Sequence, residues 1–238
     1  MMVVTSPIKQ DYGLALRTLK AANVPFVLGG AWAVECYVRL GRATLDLDLM
    51  IEPAQLEPAI RALSQAGAKV LDQDLIQAQL RLRDAEIDLV HHFAQGEYAV
   101  DRSWYRRGQP GRVFNVTVLI AAPEDILWTK MFIAARHRFD GADVVHLIRA
   151  TGQNLDWNRL NDYLKPYPEL FLAYLNLFQF IYPNDWQIVP QWLMDELLMG
   201  FTAPPEPSPV RVCRGTLIDH SSFVFDIVGG GYEDVRQA

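Results

Sequence analysis

The stretch from Thr44 to Ile51 reads TLDLDLMI, and its strict alternation leaves the backbone few options. Side chains two positions apart leave the same face of a strand, so Leu45, Leu47 and Leu49 line one face while Asp46 and Asp48 line the other. A helix would scatter both sets around its circumference. A carboxylate in an apolar core is costly unless something pairs it. The pattern therefore predicts a half-buried strand, with leucines on the core and aspartates facing solvent or a site. Ahead of it VPFVL runs as a short strand into Gly29 and Gly30, and Ala31 to Leu40 has helical spacing. The local order is strand, tight turn, helix, strand.

The rest of the chain extends that unit and then changes character. Ile8 to Ala22 repeats apolar residues at helical spacing, and EPAQLEPAIRALSQAG follows the aspartate strand as a helix entered at Pro53 and closed at Gly67. LIQAQLRL, AEIDLVHHF and RVFNVTVLIA are three further strand candidates. Residues 1–120 are thus expected to form a small mixed β-sheet core flanked by helices, the α+β class. Pro123 to Arg138, Ala142 to Thr151, Trp157 to Tyr163, Glu169 to Tyr182 and Pro190 to Gly200 all read as helices, so residues 121–202 form a helical C-terminal domain. TAPPEPSPV breaks that pattern, and residues 203–238 are set apart as a proline-rich connector and tail. Gly229 to Gly231 in the tail lack a preceding strand and are not read as a phosphate loop.

A net charge of −6 argues against a broadly basic nucleic-acid surface. The one local basic run, DRSWYRRGQPGR, sets Arg102, Arg106, Arg107 and Arg112 beside Trp104 and Tyr105 and is read as a solvated loop. No apolar run reaches the roughly 18 residues that span a bilayer. MMVVTSPIKQ lacks a basic region followed by an apolar stretch. Cys36 and Cys213 stand far apart, at neither disulfide-framework nor metal-knuckle spacing. A cytoplasmic protein with no membrane partner is the simplest expectation.

Two carboxylates held side by side on one strand face repel unless a cation or a proton sits between them, and hard oxygen ligands suit a divalent cation. A third carboxylate should come from a neighbouring strand. In AEIDLVHHF, Glu86 and Asp88 share a face, and Asp88 has the same apolar neighbours as Asp46; Asp88 is chosen, with Glu86 in reserve. A glycine pair between strand and helix lets backbone amides approach an anion, and the helix adds the positive end of its dipole. Together Gly29, Gly30, Asp46, Asp48 and Asp88 describe a site for a nucleoside triphosphate and Mg2+, with Mn2+ the alternative ion and room for two metals. His91 and His92, ending a strand, are read as structural. Tyr174, Phe178, Phe180 and Tyr182 are read as core or as a dimer surface, and a homodimer stays open.

The run LGGAWAVECYVRLGRATLDLDLMI, with EIDLV and APEDILWTKMFIAARHRFDGADVVHLI downstream, resembles the nucleotidyltransferase superfamily of polymerase-β-like fold. Within it the chain is most similar to the minimal bacterial enzymes and AbiEii-type toxin relatives. The resemblance implies transfer of a nucleoside monophosphate from an NTP to an acceptor hydroxyl, with release of pyrophosphate. It matches Gly29 and Gly30 to the glycine motif, Asp46 and Asp48 to the Asp-x-Asp and Asp88 to the third acid, as catalytic metal ligands. It also assigns Arg42 and Thr44, which precede the acidic pair, and Lys130 to nucleotide binding, Lys130 by contact with the triphosphate. Asp140 and Asp143 match an Asp-x-x-Asp that follows, read as structural. Ala31 departs from the pattern, because the Gly-Ser form of the motif supplies a hydroxyl there. The acceptor stays open between a small hydroxylated molecule, a protein side chain and a tRNA end, with RNA disfavoured by the charge. The alternatives are a non-catalytic nucleotide-binding or toxin–antitoxin-type interaction module and a metal-dependent phosphohydrolase.

Overall fold

The computed structural model describes residues 6–42, 44–202 and 210–237. The connector expected at 203–209 and the amino-terminal residues 1–5 lie outside the described residues. Two compact units divide the chain, Met1–Ala122 and Pro123–Ala238.

The first unit is built on a mixed seven-stranded sheet. Helix α1 (Ser6–Ala21) precedes strand β1 (Val27–Leu28), helix α2 (Gly30–Val38) and strand β2 (Asp46–Met50). A 3-10 turn at Pro53–Gln55 leads into α3 (Leu56–Gln65), followed by β3 (Lys69–Gln73), β4 (Gln77–Leu82) and β5 (Ala85–Val90). A small ladder of β6 (His92–Phe93) and β7 (Tyr98–Ala99), helix α4 (Arg102–Arg107) and strands β8 (Gln109–Val113) and β9 (Val116–Ile120) complete it. The sheet order is β3-β4-β5-β2-β1-β9-β8, with β2 parallel to β5 and antiparallel to β1, and β1 parallel to β9.

Within β2 the alternation of TLDLDLMI does what its period demands, while Leu45, expected on the core face, precedes the strand and is exposed. Leu47 and Leu49 of β2 and Ile87 and Leu89 of β5 are fully buried, each worth about 1.5–3 kcal/mol on leaving water. The pleat then turns Asp46 and Asp48 to the other face, with Glu86 and Asp88 in register beside them. Helix α1 packs on β5, β9 and α3 and buries Tyr12, Ala15, Leu16 and Leu19.

Three segments of this unit differ from the sequence reading. RVFNVTVLIA is a β8–β9 hairpin, because Phe114 and Asn115 both adopt positive φ, 46° and 62°, and reverse the chain. The arginine-rich stretch, read as a solvated loop, forms a capped helix over Arg102–Arg107 and runs on into β8, which carries Arg112: Asp101 accepts the Ser103 N–H at 2.8 Å and Trp104 is buried. Strand β3 has no counterpart among the expected strands, since all five of its residues are exposed at the sheet edge and carry no burial period.

The second unit is helical, with α5 (Pro123–Met131), α6 (Gly141–Thr151), α7 (Trp157–Leu164), α8 (Pro168–Ile181), α9 (Gln191–Thr202) and α10 (His220–Val228). Phe171, Leu175 and Phe178 of α8 are buried with Leu147, Ile148, Leu160 and Leu164. Helix α5 stops at Met131, short of the expected Arg138; β10 (Ala134–Ala135) and β11 (Arg138–Phe139) turn the chain back instead. That turn brings Asp140 to Lys130, which donates to it at 2.7 Å, and the Asp140 N–H to the Ile133 carbonyl at 3.1 Å. The tail pairs β12 (Val212–Cys213) with β13 (Glu233–Asp234), and Asp219 ties it in by accepting the Arg136 N–H at 3.1 Å. No helix among the described residues is long and apolar enough to cross a membrane.

Candidate active site

The parallel pairing of β2 with β5 decides which acid joins the Asp46–Asp48 pair. Asp48 lies opposite Asp88 and Asp46 opposite Glu86. Glu86 is drawn to Arg81 on the neighbouring strand β4, as an ion pair on that side of the sheet. Carboxylate oxygens of Asp46, Asp48 and Asp88 all lie within 4.8 Å of one another. Among the described residues, no other group of three or more His, Cys, Asp or Glu side chains gathers in a way that could hold a metal.

The glycine turn closes on this cluster. Gly29 donates its N–H to the Asp48 carbonyl at 3.0 Å and accepts from Ala33 in the first turn of α2. Gly30 adopts φ +54°, and a Cβ built on it would lie 1.7 Å from the Asp48 Oδ2 and 2.7 Å from the Asp48 Cβ. The missing side chain is what lets the Asp48 carboxylate lie against the start of α2, where free backbone amides and the helix dipole favour negative charge. Three hard oxygen donors gathered this closely suit a divalent cation such as Mg2+.

The remaining predicted residues fall into two groups. Thr44 donates its hydroxyl to Asp46, which fixes that carboxylate. Arg42 stands in the exposed loop between α2 and β2, where its amide and that of Gly41 both donate to the Glu35 carboxylate. Lys130 belongs to the second unit, is buried, and is engaged by Asp140 and Asp143 at 2.7 Å each. Nearby Tyr174 has its phenol pushed up to about 12 by burial first and by Asp140 second. Removing Lys130 takes from the buried Asp143 and the half-buried Asp140 the lysine they share, with Arg138 still 3.4 Å from Asp140, so Lys130→Met should cost about 3 kcal/mol of stability. The urea midpoint of that variant measures it, and Asp140→Asn in the same background should recover part of the loss.

Two residues of the site carried no sequence signal. Tyr12 of α1 is buried and donates its hydroxyl to the Leu45 carbonyl at 2.6 Å. Its ionisation is pushed far up by burial, and then by Asp46, Glu86, Asp48 and Asp88. Glu35, which holds the loop before β2, lies in a helix where its charge reads as ordinary surface. His91 and His92 stand apart from the cluster with their Nδ1 atoms 2.6 Å apart, and burial lowers the pKa of both.

A family model described as "Uncharacterised nucleotidyltransferase" matches residues 12–177. No curated relative matches the sequence. Among solved structures, the antibiotic-resistance factor ANT(2'')-Ia aligns with a TM-score of 0.52 at 14% identity over 71% of this chain and 96% of its own, a shared fold. The lincosamide antibiotic adenylyltransferase LnuA aligns at 16% identity over 60% of this chain and 96% of its own, TM-score 0.44. An antigenic nucleotidyltransferase-like protein from Paracoccidioides brasiliensis aligns at 16% identity over 72% and 94%, TM-score 0.40.

Proposed function

The chain belongs to this nucleotidyltransferase family, and we propose that it transfers a nucleoside monophosphate from an NTP to an acceptor hydroxyl in a Mg2+-dependent reaction. The observation that carries the reading is the Asp46, Asp48 and Asp88 cluster closed by Gly30. In this reaction the acceptor oxygen attacks the α-phosphorus, the O–P bond forms, the bond to the leaving pyrophosphate breaks, and Asp88 takes the hydroxyl proton. Asp46, Asp48 and Asp88 would hold Mg2+, which would supply charge neutralisation to the phosphates. Gly29 and Gly30 expose the α2 amides to the phosphates. Thr44 holds the Asp46 carboxylate, and Arg42 offers a guanidinium from the loop beside it. Lys130 is engaged by Asp140 and Asp143, so its role in this reading is to order α5 and α6.

The test is pyrophosphate release by the full chain with each of the four NTPs and Mg2+, against a panel of an aminoglycoside, a lincosamide, a protein extract and tRNA. An Asp46→Asn, Asp48→Asn protein runs beside it. Labelling of one acceptor class by the native protein and none by the variant is the expected outcome. Equal turnover by both proteins, or consumption of NTP with water alone, would sink the reading.

A further inference from the structure

We propose that Tyr12 is a positioning residue for the metal-binding strand, an assignment that rests on the function proposed above. The β2–β5 ladder begins at Asp46, so the Leu45 carbonyl lies just outside the paired register. Its own side chain gives the segment little anchorage, being 47% exposed. The Tyr12 hydroxyl supplies the missing partner at 2.6 Å, one residue ahead of the first metal ligand. A neutral hydrogen bond made by a buried group is worth most where its loss leaves a carbonyl unsatisfied.

The same ring reaches the other half of the site. Tyr12 packs edge-on to Trp32 in the first turns of α2, with centroids 6.2 Å apart, and lies 5.1 Å from Phe114. Trp32 and Phe114 complete the triangle at 4.9 Å. Helix α1 is pressed close to the β8–β9 turn here: a Cβ on Gly13 would lie 2.9 Å from the Phe114 carbonyl oxygen. One rigid side chain therefore spans the glycine-turn helix and the acidic strand. Sub-ångström placement of Asp46 against Asp48 and Asp88 depends on such support, because ligand geometry sets metal affinity.

Tyr12→Phe keeps the ring in its aromatic triangle and deletes only the hydrogen bond. Mn2+ binding to the full chain without nucleotide, followed by electron paramagnetic resonance, should weaken by about three- to tenfold. Half-maximal turnover should need correspondingly more Mg2+, with the rate restored at saturating Mg2+. Tyr105→Phe is the control, since the Tyr105 hydroxyl also bonds a backbone group, accepting the Glu52 N–H at 2.9 Å. Weakened Mn2+ binding in Tyr12→Phe but not in Tyr105→Phe supports the assignment. Unchanged binding, an equal loss in both variants, or a rate loss that Mg2+ does not rescue overturns it. Native-like Mn2+ binding by Asp46→Asn, Asp48→Asn would instead remove the metal site itself, and the Tyr12 assignment with it.

Discussion

Gly30→Ala protein should fold, yet bind Mn2+ weakly and lose at least about 100-fold in nucleotidyl transfer, the scale on which a 1 Å misplacement of a reacting group is felt. The new Cβ would sit 1.7 Å from the Asp48 Oδ2, and turning the carboxylate aside does not clear it, because the Asp48 Cβ is itself only 2.7 Å away. Either β2 shifts or the turn opens, and both move Asp48 relative to Asp88. The backbone adds its own penalty: φ +54° at Gly30 is left-handed, at roughly 1–2 kcal/mol for a residue with a Cβ. Gly29→Ala makes the informative contrast. Gly29 has an ordinary φ of −114°, and its added Cβ would press on the Met50 sulfur at 2.6 Å, the flexible part of a side chain that can turn away. Metal binding should therefore fall far less in Gly29→Ala. Equal losses in the two variants, read by Mn2+ titration and pyrophosphate release, would mean that the close approach of α2 to Asp48 has no special role.

How much of this was legible beforehand follows from where burial is one-sided. In β2 and β5 one face is core and the other is not, so the leucines announce the strands and the aspartates announce the face. Matching apolar flanks select Asp88 over Glu86 in the sequence, whereas in the structure the register sets Asp88 opposite Asp48 and Arg81 pairs with Glu86. Strand β3 has no buried face at all, and so has no period to read. The β8–β9 reversal at Phe114 and Asn115 lacks the glycine that usually marks such a turn, and Val113 and Phe114 before it and Val116 and Val118 after it read as one β-rich segment. Tyr12 illustrates the deepest limit of sequence reading. Nothing within α1 distinguishes it from any other core aromatic, and its partner at Leu45 is 33 positions away in the chain.

Asp48→Asn should combine two effects of opposite sign: loss of transfer by at least about 10³-fold, as several kcal/mol of transition-state stabilisation disappear, and a more stable metal-free protein. The second effect follows from the crowding of the acids. Three carboxylates with oxygens within 4.8 Å of one another repel in the absence of a cation. Two unit charges at that separation interact by about 3–4 kcal/mol at an effective dielectric near 20. The α2 amides offset part of this for Asp48, which lies against the helix start, so a net gain on the order of 1–2 kcal/mol is expected. Mg2+ reverses the order. It binds the folded native cluster and raises the native melting temperature by mass action, while the variant gains little. Melting curves of both proteins in EDTA and across a Mg2+ titration should therefore cross, with the variant ahead at zero metal and the native protein ahead at saturation. An inactive variant that melts below the native protein in EDTA would mean that Asp48 serves the fold as well as the metal. A fully active variant would remove Asp48 from the site.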